Sequence, residues 1–272
     1  MARVLSGLEL QGFIKQRQLR QVRQLRQQFK IVPTLLIIKS LSASDVIDTY
    51  VRMKVAYAED VTIEVRVEAL DESQMIDRIR EANIDSNIQG IIVQLPLKDA
   101  SQINKICNEI DPAKDVDGLG DNGAYPSATA QAIDWLLAGY SVDLVGKKIA
   151  IVGNGKLVGA PLTKLWSERG LDVTTLDDTT PNIPETLQQS QVIVSATGVS
   201  RLIKAADIAR DAVVVDAGTA SENGVIVGDI EDEIRQRKDV SATPAKGGVG
   251  PLTYTVLFDH LIEACLRRAG QL

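Results

Sequence analysis

The sequence predicts an α/β protein of two domains, each with a parallel β-sheet, the second sheet being doubly wound. Short apolar runs rich in β-branched residues alternate with segments of helical periodicity along most of the 272 residues. One such run, residues 149–152, ends in a glycine turn at 153–155 and precedes a helical pattern. A loop rich in Gly, Asn and Pro, residues 118–127, separates two such series, as a hinge between domains would.

Composition and cysteine content narrow the class further. The 36 acidic residues modestly exceed the 30 basic residues, so nothing in the charge balance indicates a nucleic-acid partner. Cys107 and Cys265 lie far apart and form neither a metal-ligand spacing nor a disulfide framework. Apolar runs are too short to span a membrane, and the N-terminus lacks the regions of a signal peptide. We therefore expect a cytoplasmic protein without a metal, membrane or nucleic-acid partner.

The first half of the chain predicts strand–helix units that follow an N-terminal helix. Periodicity predicts this helix over residues 7–29, with Arg and Gln side chains on a solvated face. The predicted strands cover residues 34–38, 61–67 and 90–97, and the predicted helices cover 45–58, 72–82 and 100–110. Ligands bind beyond the carboxyl ends of strands in open parallel sheets. Residues 42–54 and 94–97 are therefore the expected positions of a ligand site.

The second half repeats the pattern of a strand that closes in a turn of small residues. Predicted strands cover residues 149–152, 171–176, 191–198 and 212–218, and predicted helices include 128–138 and 252–268. The last helix is apolar around most of its middle, which indicates that it packs back across the domains. We expect residues 1–121 and 252–272 to form one domain and residues 122–251 to form the other.

The glycine turn after residue 152 is a candidate anion site. Gly153, Asn154 and Gly155 reverse the chain, and Val158 and Gly159 lead into the next helix. Bare backbone N–H groups and the positive end of the helix dipole point at whatever lies in such a turn, most often a pyrophosphate. The spacing, G-x-G-x-x-x-G, is one residue longer than the usual dinucleotide fingerprint.

The ends of the neighbouring strands support a nucleotide at this turn. The next strand ends in Asp177 and Asp178, about 20 residues past the glycines, where an acidic residue would hold a ribose 2′-hydroxyl. A further strand ends in Thr197 and Gly198, and parallel strands present their ends to the same ligand. These residues predict a Rossmann-like, doubly wound nucleotide-binding domain.

Five motifs, in order along nearly the whole chain, resemble those of the methylenetetrahydrofolate dehydrogenase/cyclohydrolases. They are residues 50–54 (YVRMK), 90–97 (GIIVQLPL), 114–118 (KDVDG), 158–161 (VGAP) and 247–251 (GGVGP). The resemblance implies a catalytic domain that binds folate, a nucleotide domain and a cleft between them. It also implies oxidation of 5,10-methylenetetrahydrofolate with a nicotinamide cofactor, then hydrolysis of the methenyl product to 10-formyltetrahydrofolate. A homodimer formed through the nucleotide domain is implied as well.

The resemblance assigns roles that suit the chemistry of the residues. Lys54 would activate water and move protons, provided that burial or a nearby cation lowers its pKa. Gln94 would orient Lys54. Asp117 would accept hydrogen bonds from the pterin, and Tyr50, one helical turn before Lys54, would stack on it. The further implied substrate contacts are Leu95, Pro96, Gly247, Gly248 and Pro251.

Departures from the family pattern concern the cofactor. Members that use NADP usually carry Arg-Ser after the first glycine of the turn and Ser after the second strand, whereas this chain has Asn154-Gly155 and Asp177-Asp178. Two carboxylates repel a 2′-phosphate and accept hydrogen bonds from a ribose diol. Our hypothesis is a preference for NAD over NADP.

Three other readings of the sequence stay open. Because the departures concentrate around the nucleotide, the chain could be a cyclohydrolase whose dehydrogenase activity is weakened or lost. It could also be a nucleotide-binding regulator without turnover, although a regulator does not need Lys54. The fold alone would fit a dehydrogenase of amino or hydroxy acids. The single histidine, His260, is expected to pack within or on the last helix rather than act as a base.

Overall fold

A computed structural model describes residues 2–222 and 225–271, and the chain in it divides into two compact units. The N-terminal unit comprises Gly12–Ala128 and Tyr254–Leu272, and the central unit comprises Met1–Gln11 and Thr129–Thr253. Each unit contains a parallel sheet with helices, which confirms the predicted two-domain α/β class. Residues 1–11, 122–128 and 252–253 fall in the unit opposite to that expected from the sequence.

The helices and strands follow the predicted alternation. The helices are α1 Gly7–Gln28, α2 Asp45–Asp60, α3 Met75–Ile84, α4 Ile103–Cys107, α5 Ala128–Gly139, α6 Gly159–Ser167, α7 Ile183–Gln189, α8 Asp232–Gln236 and α9 Val249–Arg268. The strands are β1 Thr34–Ser40, β2 Glu64–Leu70, β3 Gly90–Val93, β4 Lys148–Val152, β5 Asp172–Leu176, β6 Val192–Ser195, β7 Val213–Asp216, β8 Ala220–Glu222, β9 Val225–Val227 and β10 Ser241–Ala242. Short 3₁₀ turns cover Glu72–Gln74, Ala100–Gln102 and Ala205–Asp207.

The sheet of the N-terminal unit has the order β2-β1-β3, and both pairings are parallel. Four consecutive residues of β1, Leu35 to Ile38, are fully buried, as expected for a central strand covered on both faces. The core on one face joins β1 and β3 to the apolar side of α3 through Leu36, Ile38, Met75, Ile79, Ile91 and Val93. The carboxyl ends of β1 and β3 consequently lie side by side.

The strand predicted over residues 61–67 begins three residues later than expected. The backbone N–H of Val61 still bonds to the carbonyls of Tyr57 and Ala58, so Val61 caps α2. Thr62 has φ +60°, a left-handed conformation that no extended strand contains. β2 therefore starts at Glu64 and lies at the edge of the sheet, with several side chains exposed.

The strand predicted over residues 90–97 ends at Val93. The segment around Asp115 lies along one edge of β3. The N–H of Ile91 donates to the carbonyl of Lys114 at 2.8 Å, and Ile91 bridges to Asp115 in parallel. The Lys114 ammonium caps α3 by donating to the carbonyls of Ala82 and Asp85. This arrangement holds the segment after Lys114 against the end of β3.

The central unit contains a five-stranded parallel sheet of order β10-β7-β6-β4-β5. Numbered along the chain, this is the doubly wound order 2-1-3-4-5. The direction of winding reverses between β4 and β6, and the carboxyl ends of these two strands therefore border the expected ligand crevice. Both strands are buried along nearly their whole length.

Among residues 2–222 and 225–271, none of the helices combines the length and the apolar character that a membrane crossing requires.

Ile151→Ala tests the role of β4 as a buried interior strand of this unit. Ile151 is fully buried and pairs with Thr175 and Val194, so truncation should lower the free energy of unfolding of the unit by about 2–4 kcal/mol. Both tryptophans, Trp135 and Trp166, belong to this unit, and urea unfolding followed by tryptophan fluorescence measures the change. Val145→Ala, at a side chain that is 75% exposed, is the matched control and should change little. Equal stability of the two variants would contradict the assignment.

Candidate active site

The position of Lys54 follows from the apolar face of α2. The helix begins after Ser44, whose side chain accepts a hydrogen bond from the N–H of Ile47. Its buried face is formed by Ile47, Val51, Lys54, Tyr57 and Ala58. Lys54 occupies an apolar position of this helical period, and only 9% of the residue is exposed. A lysine at such a position brings its ammonium group into the interior of the unit.

Gln94 accepts a hydrogen bond from the Lys54 ammonium, with Nζ and Oε1 2.5 Å apart. Gln94 directly follows β3, and its N–H continues the ladder to β1 by donating to Ile38 at 2.8 Å. The amide nitrogen of the side chain donates to the carbonyl of Leu95 at 3.1 Å. The amide therefore has one end fixed by the backbone and presents its oxygen to Lys54.

Asp117 lies in a loop that a second, buried aspartate organises. The carboxylate of Asp115 accepts hydrogen bonds from the N–H groups of Gly118 at 3.0 Å and Gly120 at 2.7 Å. Gly118 has φ +66°, and a Cβ there would lie 2.4 Å from the carbonyl oxygen of Pro126. The sequence analysis did not predict a role for Asp115. Its hydrogen-bond partners are backbone N–H groups of its own loop, which no motif of residue types reveals.

Burial and neighbouring charges have opposing effects on the pKa values of Lys54 and Asp117. Burial lowers the pKa of Lys54, and the negative charge of Asp117 raises it in part. Burial likewise raises the pKa of Asp117 to about 6, while Lys54 lowers it and Asp115 raises it. Lys54 can thus release and regain a proton more readily than a solvated lysine, which suits general acid–base chemistry. Sequence reasoning anticipated burial of Lys54 but not its coupling to Asp117.

The other predicted folate contacts of the N-terminal unit differ in exposure. Tyr50 is half-buried, and burial raises the pKa of its hydroxyl. Leu95 is half-buried against the core of the unit, and Pro96 is exposed, with a cis peptide bond between them. Gly247, Gly248 and Pro251 belong instead to the central unit, next to the start of α1. There the N–H of Leu8 donates to Gly247, and the side-chain amide of Gln11 donates to Pro251.

The predicted glycine turn lies at the carboxyl end of β4, at the switch point. Gly153 has φ +101°, and a Cβ there would lie 2.5 Å from the carbonyl oxygen of Ala196. At Gly159 a Cβ would lie 1.8 Å from the carbonyl oxygen of Gly153, so only glycine lets α6 begin this close to the turn. A Cβ at Gly155 would meet no described atom within 4 Å. The turn therefore has a tightly packed inner side and an open outer side, which fits a pyrophosphate at its backbone N–H groups.

The two aspartates after β5 are not equivalent. Oδ1 of Asp177 accepts hydrogen bonds from the N–H of Thr179 at 3.0 Å and from its hydroxyl at 2.6 Å. The hydroxyl of Thr180 also donates to this atom, at 3.2 Å. The hydrogen bonds from Thr179 lower the pKa of Asp177. Asp178 is exposed. The sequence analysis gave the two aspartates the same role. In the structure the Asp177 carboxylate stabilises the turn, whereas the Asp178 side chain is exposed to solvent.

Val158, Thr197 and Gly198 complete the predicted nucleotide residues. Val158 immediately precedes α6, and its carbonyl accepts the N–H of Leu162 at 2.9 Å. Thr197 and Gly198 form the turn after β6, with Gly198 at φ +69°. The N–H of Thr197 donates to the buried carboxylate of Asp229 at 2.6 Å. The sequence analysis did not predict a role for Asp229. The available signal in the sequence was an acidic residue that follows a glycine after a short apolar run.

A doubly wound sheet with a glycine turn at its switch point places the chain in the class of α/β proteins whose fold suits nucleotide binding. Two family models match the chain: the catalytic domain of tetrahydrofolate dehydrogenase/cyclohydrolase over residues 5–117 and its NAD(P)-binding domain over residues 127–269. The chain belongs to the tetrahydrofolate dehydrogenase/cyclohydrolase family. Its activities are therefore oxidation of 5,10-methylenetetrahydrofolate with a nicotinamide cofactor and hydrolysis of 5,10-methenyltetrahydrofolate, reactions of one-carbon metabolism.

Individual relatives agree with this family over the whole chain. The bifunctional protein FolD of Hydrogenobaculum sp. is 34% identical over 280 residues, which cover 97% of this chain and 99% of that protein. The crystal structure of the bifunctional enzyme FolD from Campylobacter jejuni gives a TM-score of 0.91 at 28% identity, covering 98% of this chain and 100% of the other. The Trypanosoma brucei enzyme, solved with NADP cofactor and an inhibitor, gives 0.90 at 26% identity, covering 100% and 99%.

Asp117→Asn tests the electrostatics of the cluster through its stability. The folded-state pKa of Asp117, about 6, lies above its unfolded value, so the native protein binds a proton more tightly than the unfolded chain. The resulting contribution to stability is fully present below pH about 4 and is lost as the pH rises through about 6. Wild-type stability relative to the variant should therefore fall over this interval, by up to about 3 kcal/mol. Urea unfolding followed by circular dichroism at pH 4 and pH 7.5 measures it, and a difference independent of pH would contradict a raised pKa.

Proposed function

We propose that this chain hydrolyses methenyltetrahydrofolate with Lys54 as the proton-transfer group and that its dehydrogenase activity prefers NAD to NADP. The observation that carries the first part is the 2.5 Å hydrogen bond from the buried Lys54 ammonium to Gln94, with Asp117 close enough to affect its pKa. The second part is carried by the acidic turn at the end of β5.

Hydrolysis requires a base for water and a proton for the departing nitrogen. Neutral Lys54 accepts a proton as the oxygen of water bonds to the methenyl carbon. The bond between this carbon and N5 of the folate then breaks as protonated Lys54 returns its proton to N5. The remaining proton of the former water passes to solvent, and the carbon keeps its bond to N10 as a formyl group. The lowered pKa of Lys54 raises the fraction of neutral lysine, and the hydrogen bond to Gln94 holds the amine in one orientation.

Asp117 and Tyr50 bind the pterin in this proposal. At pH 7 a carboxyl group of pKa about 6 is mostly ionised and accepts hydrogen bonds from the amino group and ring N–H of a pterin. Tyr50 lies one helical turn before Lys54 on the same side of α2 and offers its ring for stacking. Leu95 and Pro96 follow Gln94 directly after β3 and are further candidate contacts of the pterin.

The nucleotide is held by the ends of β4, β5 and β6 in this proposal. When bound there, a nicotinamide nucleotide supplies the hydride acceptor for the methylene carbon. The N–H groups of the turn formed by Gly153, Asn154 and Gly155, at the start of α6, bind the pyrophosphate. The turn at Thr197 and Gly198 borders the same crevice across the switch point.

The preference for NAD follows from Asp177 and Asp178. A 2′-phosphate next to two carboxylates is repelled, and the turn carries no arginine or lysine that could offset this repulsion. Since Asp177 is engaged by Thr179 and Thr180, the exposed Asp178 is the better candidate to accept hydrogen bonds from a ribose diol. The charge of both residues contributes to the discrimination.

We further infer a cytoplasmic homodimer formed through the central unit. Large apolar side chains of this unit are exposed, among them Val199 and Leu202, and their burial on association would be favourable. Cys107 and Cys265 are buried thiols, which is typical of proteins that work in reducing compartments.

Asp178→Ser tests the cofactor preference. The native enzyme should have a higher kcat/KM with NAD than with NADP, and the variant should shift this ratio toward NADP by about tenfold because one repelling charge is removed. Absorbance-followed oxidation of methylenetetrahydrofolate with each nucleotide measures the ratio. Asp172→Ser is the matched control, since Asp172 is an exposed aspartate at the opposite end of the same strand.

Two outcomes of this assay would overturn parts of the proposal. A native kcat/KM that is higher with NADP would refute the preference for NAD. Turnover with neither nucleotide, together with intact hydrolysis of methenyltetrahydrofolate, would show a cyclohydrolase that has lost its dehydrogenase activity.

Lys54→Met tests the hydrolytic role. The variant should hydrolyse methenyltetrahydrofolate at least about 100-fold more slowly, because the methionine side chain cannot exchange a proton. Lys105→Met, at an exposed lysine of α4 in the same unit, should behave like the native protein. The decay of methenyltetrahydrofolate absorbance, corrected for the uncatalysed reaction, gives the rates, and a native rate in Lys54→Met would remove Lys54 from the mechanism.

A further inference from the structure

In the central unit, two aspartate carboxylates each pack against a glycine that lies two residues after, or one residue before, the other aspartate. A Cβ at Gly218 would lie 1.9 Å from Oδ1 of Asp229, and a Cβ at Gly228 would lie 1.9 Å from Oδ2 of Asp216. Each carboxylate therefore occupies the space above the glycine of the other segment. We call these four residues, Asp216, Gly218, Gly228 and Asp229, the aspartate clasp. Neither glycine of the clasp has a positive φ. Glycine is therefore needed at these positions for the close approach of a carboxylate and not for a left-handed backbone conformation.

The Asp216 carboxylate of the clasp has several hydrogen-bond donors and a cationic partner, which compensate the cost of burying its charge. The carboxylate accepts hydrogen bonds from the N–H groups of Gly218 at 3.2 Å and Asp229 at 3.0 Å. The guanidinium of Arg235 lies 2.6 Å from this carboxylate. The backbone N–H of Asp216 donates to the hydroxyl of Thr243. A buried carboxylate with this set of donors stabilises the end of β7.

The Asp229 side is turned toward the loop after β6. Oδ2 of Asp229 accepts the hydroxyl of Ser195 at 2.8 Å and the N–H of Thr197 at 2.6 Å. Ser195 is the last residue of β6, and Thr197 begins the turn that continues to Gly198. The hydroxyl of Thr197 in turn accepts the N–H of Val199 at 3.1 Å. The buried carboxylate thus fixes the first peptide of a turn at the switch point of the sheet.

The geometry of Asp229 is poorly explained by stability alone. The residue is fully buried, and its Oδ1 has no hydrogen-bond partner within the described residues. A buried carboxylate oxygen without a donor is destabilising, and a neutral side chain would avoid this penalty. The other oxygen, however, holds a turn against the glycine turn of β4, where the carbonyl of Ala196 lies under Gly153.

We propose that Asp229 is a positioning residue of the dehydrogenase reaction: it holds the N–H of Thr197 so that the turn of residues 196–198 borders the nucleotide in one conformation. The inference rests on the nucleotide site proposed above. It assigns Asp229 no contact with the nucleotide and no part in the hydrolysis, whose proposed residues lie in the other unit.

Asp229→Ala and Asp229→Asn test this role together. The alanine variant loses the acceptor for Ser195 and Thr197, and its KM for the nucleotide should rise by about tenfold or more. The asparagine variant keeps an acceptor oxygen and should recover most of the lost affinity. Hydrolysis of methenyltetrahydrofolate, measured on the same preparations, should persist in both variants. A purely structural role would instead lower both activities together, and the asparagine variant would not restore nucleotide affinity selectively.

Gly218→Ala keeps the test decisive where Asp229→Ala does not fold. Its Cβ would collide with the Asp229 carboxylate and displace it, so the same selective rise in nucleotide KM is expected. Gly12→Ala, at a glycine whose Cβ would meet no described atom within 4 Å, is the matched control. A native nucleotide KM in folded Asp229→Ala or Gly218→Ala would overturn the positioning role.

Asp178→Ser, assayed in parallel, separates this failure from failure of the nucleotide site. If Asp178→Ser alters nucleotide discrimination and the clasp variants leave the nucleotide KM unchanged, only the positioning role is wrong. If none of the variants alters nucleotide kinetics, the site at the ends of β4, β5 and β6 is wrong as well.

Discussion

The hydrogen bond between the Lys54 ammonium and the Gln94 amide is the interaction on which the proposed catalytic arrangement depends. A lysine on the apolar face of a helix is destabilising when charged, because burial removes the water around its ammonium group. The amide oxygen restores one strong acceptor, and the charge of Asp117 adds a favourable electrostatic contribution. Neither supplies a full ion pair at short range. The lysine consequently stays close to losing its proton, which is the property a proton-transfer group needs.

Aspartates that accept backbone N–H groups recur in the loops of both units. Asp115 closes the loop that carries Asp117, Asp177 shapes the turn after β5, and Asp229 fixes the turn after β6. The loops at the carboxyl ends of parallel strands leave backbone groups without partners in the sheet, and a carboxylate satisfies them with strong hydrogen bonds. Rigid turns result at the positions where ligands approach an open parallel sheet. The same residue type thus serves as scaffold in three turns and, at Asp117, as a candidate ligand group.

The sequence predicted well the features that local pattern determines. The runs of β1 and β4 are apolar and contain several β-branched residues, and both are buried strands with a neighbour on each side. Two strand boundaries were predicted less well. Thr62 takes a left-handed conformation that delays β2, and β3 ends at Val93, four residues before the expected end. No periodicity encodes the first effect, because it is a single backbone torsion angle.

Polar partners were harder to predict than strands. Lys54, Gln94 and Asp117 could be grouped only through the motifs of a family, since 40 residues separate the lysine from the glutamine. Asp229 lies 32 residues beyond Thr197, in a segment without a recognisable motif, and only the fold brings the two together. The difference between Asp177 and Asp178 depends on the hydroxyl groups of Thr179 and Thr180, a detail that residue types alone do not resolve.

The division of labour between the two units has a consequence for how such a chain can change. The proposed proton-transfer residues lie in the N-terminal unit, and the glycine turn, the acidic turn and the aspartate clasp lie in the central unit. In the proposal above, one exposed charge, that of Asp178, contributes to nucleotide preference and has no part in the proton transfer assigned to Lys54. By contrast, Lys54 cannot be exchanged without changing the protonation of Asp117, because each of these two residues alters the pKa of the other.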